Sequence, residues 1–206
     1  MTINDWNDQQ VKRAENTWGH KTPAYTIDMF EAAIAGYSSW LDLGCGFGRF
    51  FEYLSNRRDD PNYYGYDSSQ PMIDRIRERF PTYYARFFPH NITDPINVRA
   101  EVIIASAVLI HITLKEQHKV LTNISNAPLP AQAIILDINS PNEKYLERSD
   151  HFERIISPGF RMTWQSHYVM TKKLLSMFPT YDLTMKTYPL HANRHKVIYI
   201  LERRGK

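Results

Sequence analysis

The stretch YSSWLDLGCGFGRFFEYL, residues 37–54, sets glycines at alternate positions 44, 46 and 48 between an apolar run and a helix-like one. Glycine lacks a Cβ, so such a turn accepts positive φ and lets another group approach bare backbone. A strand over Ser39–Leu43, a glycine turn and a helix through Arg49–Asn56 form the opening of a βαβ unit, with helix N–H groups facing a ligand. The dinucleotide fingerprint needs Gly-x-Gly-x-x-Gly. Here the third glycine comes one place early and Arg49 occupies its site. Asp42 immediately precedes the turn, and a carboxylate there suits an ammonium group better than a pyrophosphate.

The same rhythm continues along the chain. NYYGYD is a second strand ending on Asp67, and SSQPMIDRIRERF is a helix capped by Ser68 or Ser69 with Pro71 in its first turn. Met72, Ile73, Ile76 and Phe80 line one face of that helix. ARFFPHN reads as a third strand, and EVIIASAVLIHI begins as a fourth, continuously apolar as a strand buried on both faces should be. TLKE then has the capping-box form, Thr113 with Glu116, opening a helix with Val120, Leu121 and Ile124 inward. QAIILDINS is a fifth strand, YVMTKKLLSMF a helix, and YDLTMKTY and KVIYILERR two closing strands, antiparallel across PLHANRH. Residues 1–36 carry two helical patterns. Residues 140–167 are aromatic and charged without a clear period.

These 206 residues are 43% apolar and 23% charged, as in a soluble globular protein of one domain. With 25 basic against 22 acidic residues, the net charge of +3 gives no argument for a polyanionic partner. Cys45 is the only cysteine, so no internal disulfide can form and a reducing compartment is expected. The polar start and an apolar maximum over 102–110, about half a membrane span, predict a cytoplasmic protein without a membrane partner.

The run LDLGCGFG resembles the first motif of the class I S-adenosylmethionine-dependent methyltransferases, which reads acid-x-Gly-x-Gly-x-Gly. Asp67 follows Gly48 by 19 residues, where an acid can accept both hydroxyls of a ribose. The general βαβ fingerprint also places an acid at about that distance, so Asp67 supports a nucleoside without choosing which. DSSQPMID resembles the family's D-x-S-x-x-M pattern, whose methionine, here Met72, packs on the adenine. FFPHNITDPI resembles the third-strand segment. Its usual aspartate is replaced by Asn91, whose carbonyl oxygen can still accept from the adenine amino group; Asp94 is the rival. SAVLIHI resembles the S-x-V-L-x-H-[ILV] segment of small-molecule methyltransferases of the ubiquinone-biosynthesis type. There Ser106 would lie beside the methionine moiety, and His111 would face the methyl group as base or orienting group.

The resemblance has specific motifs over residues 37–140 and is architectural from 168 to 201. It implies a doubly wound α/β fold with a seven-stranded, mostly parallel sheet in the order 3-2-1-4-5-7-6, strand seven antiparallel. It also implies S-adenosyl-L-methionine as cofactor, held by Asp42, Gly44, Cys45, Gly46, Gly48, Asp67, Ser68, Met72, Asn91, Ile92 and Ser106, with His111 catalytic. The expected organisation is one domain over 1–206, with 1–36 a helical cap and 140–167 a substrate-side insertion.

A small-molecule acceptor is the favoured partner. Trp6, Trp18, His20 and Tyr25 in the first cover, and Tyr145, His151, Phe152, Phe160, Trp164 and His167 in the second, stand with Arg148, Arg154 and Arg161 and suit a flat or anionic molecule. Methyltransferases of exocyclic amino groups in DNA carry Asn/Asp-Pro-Pro-aromatic after the fourth strand, where this chain reads ASAV. Cys45, inside the turn, is misplaced as a nucleophile for cytosine. Arg75, Arg77 and Arg79 fan around a helix as a solvated surface. The alternatives are a methyltransferase acting on RNA or protein, a nicotinamide-dependent oxidoreductase, or a non-catalytic S-adenosylmethionine-binding protein.

Overall fold

A computed structural model of the chain describes residues 12, 22–141, 151–157, 160–190 and 194–205. Helix α1 (Ala24–Ile34) leads into β1 (Ser39–Leu43), α2 (Arg49–Ser55), β2 (Asn62–Asp67) and α3 (Gln70–Arg79). Then come β3 (Phe87–Pro89), β4 (Val102–Ala105), α4 (Leu114–Ser125) and β5 (Ala133–Pro141), and after these β6 (His151–Ser157), β7 (Phe160–Gln165), α5 (His167–Met177), β8 (Tyr181–Leu190) and β9 (Arg194–Arg203). The capping signals act as the sequence predicts. Ser69 Oγ accepts from the Met72 N–H with proline in the first turn, and Thr113 and Glu116 form a reciprocal capping box on α4.

Strands β3, β2, β1, β4 and β5 are parallel neighbours, β9 lies antiparallel to β5, and β8 lies antiparallel to β9. These last two are the strands expected as sixth and seventh, so the order 3-2-1-4-5-7-6 with an antiparallel final strand holds. Both run further into the connecting PLHANRH segment than the sequence predicts.

The sheet has nine strands, not seven, because β6 and β7 form a hairpin inside the segment that showed no period. Its origin is a mismatch of lengths. β4 pairs with β5 only over Ala133–Leu136, and β7 takes the same edge further on, where Trp164 pairs with Asn139. The hairpin docks in part through polar groups. Thr163 Oγ1 donates to the Ile112 carbonyl at 2.8 Å, and the Gln165 amide donates to Gln117 Oε1 at 2.7 Å.

Alternation along the strands divides the core between the two faces of the sheet. Leu41, Leu43, Ile103, Ile134 and Leu136 pack with Val120, Leu121 and Leu174 of α4 and α5. Trp40, Val102, Ile104 and Ile135 pack with α1 and α2. Asp42 and Asp137 fall on the α1 side by the same alternation. Met29, Phe30 and Ala33 of α1 are at most 1% exposed, so this part of the expected cap belongs to the core. The other N-terminal helical pattern, with Trp6, Trp18 and His20, and the residues Tyr145 and Arg148, lie outside the described residues. Among the described residues no helix is long and apolar enough to cross a membrane.

Candidate active site

The first cleft to consider opens at the carboxyl ends of β1, β2 and β4, where a doubly wound sheet receives its ligand. Its floor is the glycine turn. Gly44, Gly46 and Gly48 all have positive φ, but different neighbours explain the missing side chains. A Cβ on Gly44 would come within 2.4 Å of Val108 Cγ2, and one on Gly48 within 2.4 Å of Ile76 Cδ1. Those two glycines admit the protein's own side chains. A Cβ on Gly46 would meet only the Gly44 carbonyl at 3.9 Å, so this residue alone presents bare backbone to open cleft.

Four N–H groups of the turn are already used. Gly44 and Cys45 donate to the Tyr66 carbonyl at 2.7 and 2.9 Å, and Gly48 donates to Cys45 O. Gly46 donates to Asp67 Oδ2 at 3.0 Å, while Ser69 donates to Asp67 Oδ1 at 2.9 Å. With those four engaged, a phosphate would find fewer of the converging unpaired N–H groups through which it binds.

Two carboxyl groups flank it instead, Asp42 buried and Asp67 half-buried. Burial pushes the Asp42 carboxyl up to about 7, with the nearby Asp67 adding to the rise, while the Tyr63 hydroxyl, donating at 2.9 Å, and Arg49 oppose it. Burial also raises Asp67, against the two backbone N–H groups. Cys45 is buried in the cleft wall, and burial pushes its thiol well up, so it is no nucleophile.

The far wall is the segment after β4. Ser106, Ala107 and Val108 line the cleft, followed by His111 at the end of a 3-10 turn over Leu109–His111. His111 Nδ1 lies 3.0 Å from the Arg161 carbonyl of β7. A carbonyl only accepts, so Nδ1 carries the proton and Nε2 is the acceptor. Burial pulls the imidazole down to about 4. A neutral ring that weakly basic suits orienting a donor better than taking its proton at neutral pH.

Of the expected residues, the cleft brings together Asp42, Gly44, Cys45, Gly46, Asp67, Ser68, Met72, Ile92, Ser106 and His111. Gly48 is absent from its lining, for the packing reason given above. Asn91 is absent too: its Oδ1 accepts from both N–H and Oγ1 of Thr93, each at 3.0 Å, which occupies both lone pairs in a local turn. Asp94 is exposed. The apolar pair Met72 and Ile92 marks that end of the cleft instead. Sequence reasoning passed over Arg49, Phe50 and Ala107, each adjacent to a motif residue, and Phe30, which only the packing of α1 brings in.

The fold and the site define a doubly wound α/β protein whose glycine turn is flanked by the carboxyl groups of Asp42 and Asp67. Residues 41–130 match the family model of the methyltransferase domain. No curated protein matches the sequence. Among solved structures, it is similar to 1,6-didemethyltoxoflavin-N1-methyltransferase from Burkholderia thailandensis with bound 1,6-didemethyltoxoflavin and S-adenosylhomocysteine. That likeness has 12% identity and a TM-score of 0.73, covering 96% of this chain and 85% of the other. Magnesium protoporphyrin IX methyltransferase from Synechocystis PCC 6803 with bound S-adenosylhomocysteine is similar at 16% identity and TM-score 0.66, covering 96% and 95%. The DhpI complex with SAM and HEP is similar at 15% identity and TM-score 0.60, covering 93% and 94%. At such identities the likeness is one of fold.

Proposed function

We propose that the protein transfers a methyl group from S-adenosyl-L-methionine to a small-molecule acceptor by in-line displacement. The observation that carries this reading is the acid pair Asp42 and Asp67 beside a turn with four of its N–H groups engaged within the protein. A pyrophosphate would bring negative charge against the buried Asp42 and the half-buried Asp67, whereas a ligand with an ammonium and a sulfonium brings the opposite sign. The site fits that ligand in three further respects. Gly46 leaves open space, Asp67 keeps lone pairs beyond its two N–H bonds, and Met72 with Ile92 offers an apolar end.

S-adenosylmethionine, when bound, supplies a methyl already activated on sulfur, the C–S electron pair returning to sulfur as the acceptor bonds to carbon. In this reading Asp67 accepts from the ribose hydroxyls, Asp42 holds the ammonium, and Met72 and Ile92 flank the base. Neutral His111, through Nε2, orients a donor on the acceptor. Positioning of this kind can lower a barrier by several kcal/mol. A small-molecule acceptor is supported by neighbours named for toxoflavin and porphyrin methylation.

The test is calorimetry with S-adenosylhomocysteine, NAD and NADP, followed by a labelled-methyl screen against small molecules, RNA and protein. Binding of NAD in preference to S-adenosylhomocysteine, or labelling of RNA or protein alone, would sink the reading. In the active assay, His111→Ala is expected to lower turnover about tenfold, the worth of one hydrogen bond, with cofactor affinity unchanged. Full turnover with a lowered Tm would mean that the imidazole only packs.

Affinity should also depend on pH. An Asp42 carboxyl at about 7 must ionise to hold an ammonium, so S-adenosylhomocysteine should bind up to about tenfold more weakly per pH unit below 7. The sign is opposite for the ligand-free fold. A raised carboxyl holds its proton more tightly when folded, so its stabilising contribution is full below about 4 and is lost as pH climbs to 7. Affinity flat between pH 5.5 and 7.5 would remove Asp42 from the ammonium site.

A further inference from the structure

We propose that Asp137 is a positioning residue for methyl transfer: steadied by Lys196, its carboxylate holds Ala107 in the left-handed conformation that shapes the cleft wall from Ser106 to His111. The proposal rests on the methyltransferase reading of the cleft, but the contacts that carry it are independent of any ligand.

Ala107 has a φ of 59°, a region that residues with a Cβ rarely adopt. Its N–H donates to Asp137 Oδ1 at 2.5 Å, from the turn after β4 to the middle of β5. Asp137 Oδ2 is paired with Lys196 Nζ, reaching over from β9. The two side chains are 2% and 4% exposed, so the pair is sealed from water. The ammonium also lies 5.6 Å from the ring centroid of Tyr25, near the start of α1.

A strained residue persists only where its surroundings over-determine it, and it points to a site where backbone position matters. Here its consequences run both ways along the chain. One residue on, Val108 packs against the Cα of Gly44, closing the floor of the turn. The Val108 carbonyl accepts from the His111 N–H at 2.9 Å, which fixes the turn that carries the imidazole. Ser106 and Ala107 themselves line the cleft. One hydrogen bond from Asp137 therefore registers the floor, the wall and His111 together. Apolar residues of similar volume commonly replace a buried ion pair without loss of stability. What they cannot supply is a strong acceptor aimed at a single N–H, and a charged acceptor makes the stronger bond.

The test compares two double variants that both remove the buried charges. Asp137→Asn/Lys196→Met keeps an acceptor oxygen for Ala107; Asp137→Leu/Lys196→Met does not. The first is expected to bind S-adenosylhomocysteine about tenfold more tightly than the second. Adding Ala107→Gly to the second should recover most of that difference, because glycine holds positive φ without a tether. Equal affinities in the two double variants, or no recovery on adding the glycine, would overturn the proposal. Amide exchange in the wild-type protein judges the clamp even if the leucine variant does not fold. The Ala107 N–H should be protected at least 100-fold, and exchange at the unprotected rate would also overturn it. Failure of the wild type to bind S-adenosylhomocysteine would defeat the proposed function, leaving the exchange result to decide the clamp.

Discussion

Replacing Gly46 by valine is expected to weaken S-adenosylhomocysteine binding by 100-fold or more while the protein still folds. The added Cβ would stand in the open cleft, with no protein atom nearer than 3.9 Å. Left-handed backbone costs a residue with a Cβ about 1–2 kcal/mol, which a domain stable by about 5–15 kcal/mol survives. The branched side chain then fills the space that the ligand needs, and a 100-fold loss is about 2.7 kcal/mol. Gly44→Ala and Gly48→Ala supply the contrast. Their Cβ atoms collide with Val108 and Ile76, so they should lower the Tm more than Gly46→Val does. Unchanged calorimetric affinity in folded Gly46→Val would rule out this placement of the ligand.

Asp67→Ala should lower affinity on the order of 10²-fold. Two losses combine. A charge-assisted bond to a ribose hydroxyl contributes about 1.5–3 kcal/mol. In addition, the carboxylate ties Gly46 N to Ser69 N, joining the glycine turn to the cap of α3, and its removal leaves both donors without their acceptor. Asp67→Asn is not a mild control, because whichever way the amide turns it sets an NH₂ group against one of these two N–H donors. The drop should appear in the dissociation constant for S-adenosylhomocysteine and only weakly in the Tm. A large fall in Tm with unchanged affinity would make Asp67 a tether alone.

Much of this was readable before any coordinates. The strand–turn–helix around residues 37–54, the caps at Ser69 and Thr113 and the continuous apolar runs of β4 and β5 are local signals, each set by a few adjacent residues. They pointed to the parallel core and the carboxyl-end cleft, while the strand order came from the family resemblance. Nine of the eleven residues expected at the cofactor, and His111, do line that cleft, because strand ends and the turns after them follow the chain closely.

Other features depended on groups distant in sequence. That Gly44 and Gly48 serve packing while Gly46 serves the cleft is decided by Val108 and Ile76, 64 and 28 residues along. Asn91 has the right place after β3 but is occupied by Thr93, a local hydrogen bond that no alignment of residue types reveals. The β6–β7 hairpin had no periodic signal because it is held by side-chain hydrogen bonds and a vacant stretch of β5 edge. The Asp137–Lys196 pair joins strands 59 residues apart, so nothing near either residue announces it. The sequence by itself determined the nucleoside-type fold and the acids beside its glycine turn, since these depend on neighbours along the chain. Tertiary structure alone decided which glycine faces the open cleft, which histidine nitrogen carries the proton and what holds Ala107, since each depends on an atom that only folding brings near.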